Sequence, residues 1–516
     1  MSLRARRSPL SSIPFLPRLL LALVALLAGS PVVAGDGPYD LPARIDAQIA
    51  QPRFARADWG IAVVSLDSGR TVYAHQADRL LQPASTAKLF TAALVLDTLD
   101  PAYRIPTRVL AGSVSRRGRV AGPLILYGMG DPTLGAAPDT ADWADQLARQ
   151  LLAHGIRRVD GDLIADDGYF AGPALGSGWE AADLQSAFAA PASALSVDEN
   201  KLLASIAPGT APGQPARLSF EPAEAAPMLA GQLLTAAAGT PADINVYRAP
   251  GATTWQLFGT IAAKAPPRTF ALAVDDPAAL AGRQLLAAMD RAGIRWHGTL
   301  RTVHWPQDDT ALRTGTTTVA EVRSPPVREI LQQGLKRSQN LYLQNLLQLV
   351  GVRVATDDTD RHAAPAGFLS PEARALQALD PLLARAGIPA SAVSLSEGTG
   401  LSRRDLATPN ALVRLLVYLA AQSNADEVRD MLPIAGVDGS LTHRMRGTAA
   451  AGNLRAKTGS MTYVSCLAGY VTSAAGERLA FAIMLNNDVA PADAPSANRT
   501  LDAIAELLAN ENTRSP

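Results

Sequence analysis

Beyond residue 40 the apolar positions switch between helical and strand rhythms. Ala43 to Phe54 has the spacing of a short helix, and Ile61 to Leu66 is an apolar strand. Asp67, Ser68 and Gly69 supply a turn into a second strand, Thr71 to Ala74. After Pro83 comes a long apolar stretch, Ala84 to Leu99, with no Gly or Pro inside it, which predicts a buried helix. From about Pro101 to Pro325, Gly and Pro punctuate short strands (Leu124–Tyr127, Gly161–Ala165, Leu202–Ile206) between amphipathic helices. An internal echo stands out there. Leu151 to Leu163 and Met289 to Leu300 each read as a helix end, a Gly-Ile stop and a strand. Helical spacing returns over Val327–Val350, Pro371–Gly387 and Pro409–Gln422, with a Gly-rich turn at Glu397–Arg403. Two more strands, Ser465–Val471 and Leu479–Leu485, precede a closing helix from Thr500 to Asn510.

Strands at both ends with helices between them predict an α+β fold: one antiparallel sheet flanked by helices, closed by N- and C-terminal pieces. The domain expectation is a discontinuous unit, 35–102 with 311–516. It is interrupted by a region, 103–310, of two nested smaller domains.

Composition narrows the class. The 516 residues carry no net formal charge, so neither nucleic acid nor an anionic surface is the expected partner. The single cysteine, Cys466, excludes an intramolecular disulfide and a cysteine metal cluster. Six scattered histidines contain no i, i+4 pair, so a metal site is not expected, and the fold expectation implies no organic cofactor either. Arg4, Arg6, Arg7 and Arg18 precede an apolar run from Leu19 to Leu27 and small residues ending at Ala34. This pattern predicts a signal peptide over 1–34 and a periplasmic protein; the run is too short for a stable membrane span. Oligomeric state is not legible. Only five of the 47 basic residues are lysine: Lys88, Lys201, Lys264, Lys336 and Lys457. Arginine stays charged, whereas lysine can give up its proton and act as a base, so each lysine is a candidate for chemistry.

Three short motifs follow in order: Ser85-Thr86-Ala87-Lys88, Ser338-Gln339-Asn340 and Lys457-Thr458-Gly459. Ser85 and Lys88 share a helical face, so the amine can reach the hydroxyl. A serine at a helix start also feels the positive end of the helix dipole. Serine is a weak nucleophile without a base, and a buried amine near a second cation can become one, with Lys457 as that cation. Alone, the first motif also fits a capping serine with a solvated lysine, the second a polar helix face and the third a strand ending at a turn. Together, in this order and using two of the scarce lysines, they point to a serine acyl-enzyme site.

This trio resembles that of the penicillin-binding proteins and class A β-lactamases. Ser85 and Ser338 lie 253 residues apart, more than a compact β-lactamase uses. The chain resembles the class C low-molecular-mass penicillin-binding proteins, the D-alanyl-D-alanine carboxypeptidase/endopeptidases, which carry a large insertion there. Gly128–Leu134, Ala194–Lys201, Gly398–Arg403 and Leu432–Ser440 also look like the family. The resemblance implies a serine β-lactamase/transpeptidase-like fold, a peptidoglycan peptide substrate and acylation by β-lactams. It implies Ser85 as nucleophile, Lys88 as its base, Ser338 as proton relay and Asn340 as holder of the substrate amide. Lys457, Thr458 and Gly459 would serve the terminal carboxylate, and the N–H groups of Ser85 and Ser460 the oxyanion. Asp166 and Arg403 match positions that can face a zwitterionic peptide side chain; equally, Asp166 could cap a turn and Arg403 form a structural ion pair. Lys336 reads as a helix-surface or supporting residue, and Lys201 as ordering a loop. Gln339, Gln344, Glu397, Thr399 and Thr462 depart from the usual family residues without removing a catalytic group. Two other readings remain open at this point. One is a β-lactamase or esterase on the same site; the other is a non-catalytic wall-binding or β-lactam-sensing protein.

Overall fold

The computed structural model describes residues 40–249, 251–307, 310–357, 368–491 and 493–515. The expected signal peptide, residues 1–34, lies outside them. Among the described residues no helix is long and apolar enough to cross a membrane.

The apolar runs near the two ends of the chain meet in one five-stranded antiparallel sheet. Its order is Arg455–Met461, Val464–Thr472, Arg478–Asn486, Asp58–Ser65 and Thr71–His75. Asp58 pairs with Asn486 and Ser65 with Leu479, so the N-terminal hairpin docks directly on the C-terminal strands. Both faces are buried, which is why the runs read as continuously apolar rather than alternating. Period-two geometry still sorts the residues. Ala62, Ala468, Ala480 and Ala482 join the helical core on one side. Ile61, Val63, Phe481, Ile483 and Leu485 face the other, against helices Leu41–Ile49 and Asn498–Asn510. The alanine-lined face lets the helix Pro409–Ala420 approach the sheet closely.

The helix expected from Ala84 begins as a single 3₁₀ turn, Ala84–Ala87, and becomes α-helical only at Lys88, running to Thr98. The expected helix over Val327–Val350 is two helices, Val327–Lys336 and Asn340–Asp357. The break at Arg337–Gln339 holds Ser338 at φ 56°. Nothing in the local sequence marks it, because no Gly or Pro is present. Gly334 marks instead where the two helices touch: a Cβ there would lie 2.5 Å from Leu343 Cδ2.

Between these elements, residues 104–326 build their own sheets. The largest is five-stranded, ordered Leu300–Val303, Leu163–Asp166, Leu124–Gly128, Arg104–Ala111 and Thr317–Pro326. The sequence echo is visible in it. Helices Trp143–Ala153 and Pro277–Arg291 pack on each other, and each ends in a glycine with positive φ, Gly155 and Gly293. In both, the following isoleucine N–H returns to the helix, Ile156 to the Leu151 carbonyl and Ile294 to that of Met289. The strands that follow run parallel in register, Leu163 beside Leu300. Two three-stranded sheets complete this region. One is formed by 268–273, 201–207 and 217–221; the other by 228–236, 254–262 and 243–247.

Candidate active site

Ser85 sits in the 3₁₀ turn between Pro83 and the helix, and Ala84 before it is held at φ 45°. Thr86 Oγ1 donates to the Pro83 carbonyl at 2.6 Å and closes the turn. Two glycines allow other elements to press against it. A Cβ on Gly400, at φ 76°, would lie 1.9 Å from the Ala84 carbonyl oxygen; one on Gly459 would lie 2.8 Å from that of Pro83. The glycines of the Glu397–Arg403 turn and of the third motif are thus required by the close approach of three backbones.

Lys88 is fully buried. Its Nζ lies 2.8 Å from Ser85 Oγ, 2.6 Å from Asn340 Oδ1 and 2.7 Å from the Thr399 carbonyl oxygen. The Asn340 amide is oriented because its Nδ2 donates to the Phe188 carbonyl at 2.7 Å, leaving Oδ1 to face the lysine. Asn340 Oδ1 and the Thr399 oxygen can only accept, whereas the Ser85 hydroxyl can accept or donate. A neutral amine has two N–H bonds and one lone pair, so these three partners leave its lone pair for Ser85 alone. Burial pushes the Lys88 amine down to about 7, against the pull of nearby carboxylates, Glu397 first and Asp405 second. Glu397 ties the turn beside Lys88 together, accepting from the backbone N–H groups of Thr399, Gly400 and Leu401 and from Thr399 Oγ1. Burial first, and then the Glu397 charge, hold the Asp405 carboxyl well above the usual range.

Lys457 is also fully buried. Its Nζ donates to Ser338 Oγ at 2.9 Å and to the Thr458 carbonyl at 2.8 Å. Desolvation, and then the Lys88 charge, hold its amine well below the ordinary lysine range. Thr458 Oγ1 and Ser440 Oγ lie 2.7 Å apart. The structure therefore brings together Ser85, Lys88, Ser338, Asn340 and Lys457, whose motifs span most of the chain. Cys466, paired with Gly459 across the strands, is buried, and its thiol is pushed up to about 12.

A cavity of about 300 Å³ opens over this constellation, lined by Ser85, Ser338, Asn340, Ser460 and Arg403 among others. Arg403 forms an ion pair with Glu180, Nε to Oε1 at 2.9 Å, and Nη1 donates to the Thr462 carbonyl at 3.3 Å. Asp166 is a correction. It is fully buried at the end of the strand Leu163–Asp166 and does not line the cavity. Its Oδ1 accepts from the Gly168 N–H, and its Oδ2 is paired with Arg313 at 3.0 Å. The acid in the cavity wall is Asp183. Its carboxyl is raised by burial and by Glu180, against the pull of Arg403, and among the described residues no cation bonds to it. Asp183 and Phe188 were missed because they lie in a loop stretch, 176–190, that has no periodicity to single them out. Lys336 pairs with Asp438, and Lys201 with Glu199.

A serine–lysine pair at a turn entering a buried helix, a second lysine on the edge strand and a large region between the motifs define a class: serine-type peptidases on the penicillin-binding fold. The chain is 35% identical over 516 residues to a D-alanyl-D-alanine carboxypeptidase of Actinomadura sp. (strain R39), covering 98% of this chain and 90% of that protein. Its fold is similar to the crystal structure of penicillin binding protein 4 from Haemophilus influenzae, with a TM-score of 0.76 and 24% identity, over 90% of this chain and 97% of that one. A structure of that same protein in complex with a β-lactam matches with a TM-score of 0.73 and 22% identity, over the same shares of the two chains. Residues 41–510 match the D-Ala-D-Ala carboxypeptidase 3 (S13) family, and the chain belongs to it.

Proposed function

We propose that this peptidase cuts D-Ala-D-Ala-type peptides of peptidoglycan in the periplasm through an ester on Ser85, after export directed by residues 1–34. The observation that carries the assignment is the three-way placement of Lys88 Nζ, with only Ser85 able to donate to it. In this reading Ser85 Oγ attacks the carbonyl carbon of the penultimate D-Ala as its proton passes to Lys88 Nζ. The backbone N–H groups of Ser85 and Ser460 meet the oxyanion, where fixed dipoles act without reorganising. The C–N bond then breaks, the leaving D-Ala amine takes a proton through Ser338, and water releases the acyl group. Asn340 holds the substrate amide, and Lys457 and Thr458 serve the terminal carboxylate. That carboxylate's charge would favour the protonated form of Lys457. A β-lactam opens on Ser85 in the same way, but its leaving nitrogen stays tethered, so water clears the ester slowly. Asp183 and Arg403, an acid and a base on one cavity wall, suit a peptide side chain ending in both an amine and a carboxylate. In this reading the catalytic unit is residues 35–102 with the C-terminal part of the chain, and the insertion begins at 103 and extends past the expected 310 to 326, since the strand Thr317–Pro326 pairs with Arg104–Ala111.

The test is incubation of the protein, lacking residues 1–34, with a fluorescent penicillin beside Ser85→Ala. Stable labelling that vanishes in the variant is the expected result. Rapid penicillin loss without label would point to a β-lactamase, and no Ser85-dependent reaction in a folded protein would overturn the assignment.

A further inference from the structure

The Ala194–Lys201 stretch has no place in the chemistry above, yet among the described residues it alone carries a run of consecutive non-glycine residues with positive φ. Asp198, Glu199 and Asn200 take φ of 51°, 56° and 52° in succession. Three consecutive non-glycine residues in the left-handed region persist only where the surroundings over-determine them. Here they do. Asn200 Oδ1 accepts from the Val197 N–H at 2.9 Å, and its Nδ2 donates to the Pro191 carbonyl at 2.7 Å. Gln284 Nε2 donates to Asp198 Oδ2 at 2.6 Å.

The strained turn delivers one side chain to a particular place. Glu199 is 2% exposed, and its carboxylate is gripped by Arg337, by Lys201 and by the Tyr342 hydroxyl. Arg337 Nη1 lies 2.7 Å from Oε1 and its Nη2 3.1 Å from Oε2, a two-point fork; Tyr342 Oη is 3.0 Å from Oε1. Arg337 precedes Ser338, and Tyr342 lies two residues beyond Asn340. The fork therefore spans the helix break in which Ser338 is itself held at φ 56°. The same region holds the helix further along: Asn345 Nδ2 donates to the Ser193 carbonyl at 3.0 Å, and Asn340 to that of Phe188.

We infer that Glu199 is a positioning residue: through Arg337 and Tyr342 it fixes the Ser338–Asn340 segment, so the 104–326 region sets the geometry of the second motif. The inference rests on the acyl-enzyme reading above. The strain of the left-handed turn is held in place to present one carboxylate to the segment that carries the proton relay. Small displacements of such a group cost rate rather than affinity.

The experiment compares wild type with Glu199→Gln, Arg337→Gln and the double variant. It measures kcat and KM for D-Ala release from an N-acylated D-Ala-D-Ala peptide, with thermal melts alongside. Each single variant should lower kcat by about 10- to 100-fold with KM within about threefold. The double variant should fall no more than about threefold below the worse single, because the two residues act as one unit. Arg337→Lys, which keeps the charge but loses the fork, should recover only part of the rate. Single variants within about threefold of wild-type kcat, losses that multiply in the double variant, or a change confined to KM would each overturn the inference. If Glu199→Gln does not fold, the Arg337 variants, made at a half-exposed side chain and with Lys201 and Tyr342 still on the Glu199 carboxylate, decide by the same kcat criterion, the melts showing that they are folded. Wild-type labelling by penicillin reports separately on the acyl-enzyme reading.

Discussion

A base must be able to lose its proton, and two of the five lysines are placed for it. Lys88 and Lys457 are buried in the site. Their scarcity singled them out, but Lys336 and Lys201, equally scarce, pair with Asp438 and Glu199, so it was the motifs around Lys88 and Lys457 that told them apart. With the Lys88 amine at about 7, the neutral form that accepts the Ser85 proton grows as pH rises. The second-order rate of penicillin acylation should rise through about pH 7, level off above it, and fall roughly tenfold per unit below. A pH–rate profile flat between 5.5 and 8.5 would contradict Lys88 as the base. The acid of the cavity wall was not legible. Asp166 and Asp183 are both loop-flanked acids in the middle region, and only the folded chain separates them, sending Asp166 to Arg313 and Asp183 to the cavity wall. Asp183→Asn should raise KM about tenfold for a peptide whose side chain ends in an amine and a carboxylate. It should leave penicillin labelling unchanged, because the drug lacks that group; equal loss with both would sink the role.

Among the elements, those with strong local patterns were predictable. The strand over Ile61–Leu66 and the helix from Pro409 were visible from apolar runs, the Asp67-Ser68-Gly69 turn and a helix-opening proline. Breaks imposed from outside were not. Ser338 adopts a left-handed conformation because the Glu199 fork and the Lys457 bond hold it there, and no residue type at 337–339 announces it. The turn Glu397–Arg403 shows the reverse case, where a residue type does report tertiary contact. At Gly400 both the positive φ and the 1.9 Å approach of a Cβ to the Ala84 oxygen forbid a side chain. Gly400→Ala should cost about 1–3 kcal/mol of stability in a thermal melt. It should also slow acylation by displacing the turn under Ser85. An unchanged rate would mean that the turn does not depend on this contact.

At the scale of the whole molecule, the sheet joins residues more than four hundred positions apart, with Asp58 against Asn486. The echo was legible as a recurring helix–strand unit, but that the two units pack together in parallel register could be known only from the fold. Stability is uneven across this architecture. Ile61, Val63, Phe481 and Ile483 are fully buried between two layers of helices. The sheet of 228–236, 243–247 and 254–262 is instead backed by a small cluster of four buried side chains, Ile206, Ala216, Leu233 and Ile261, with Trp255 packed on the neighbouring core. Its amides should exchange with deuterium at least about 100-fold faster than those of 61–63 and 481–483. Equal protection would mean that the molecule opens only as one unit. The seat of Cys466 has a practical consequence for following such motions. The single native thiol is enclosed and stays protonated near neutral pH. A cysteine engineered on the surface would therefore take a maleimide dye or spin label without competition from the native one, and the wild-type chain is already its own unlabelled control.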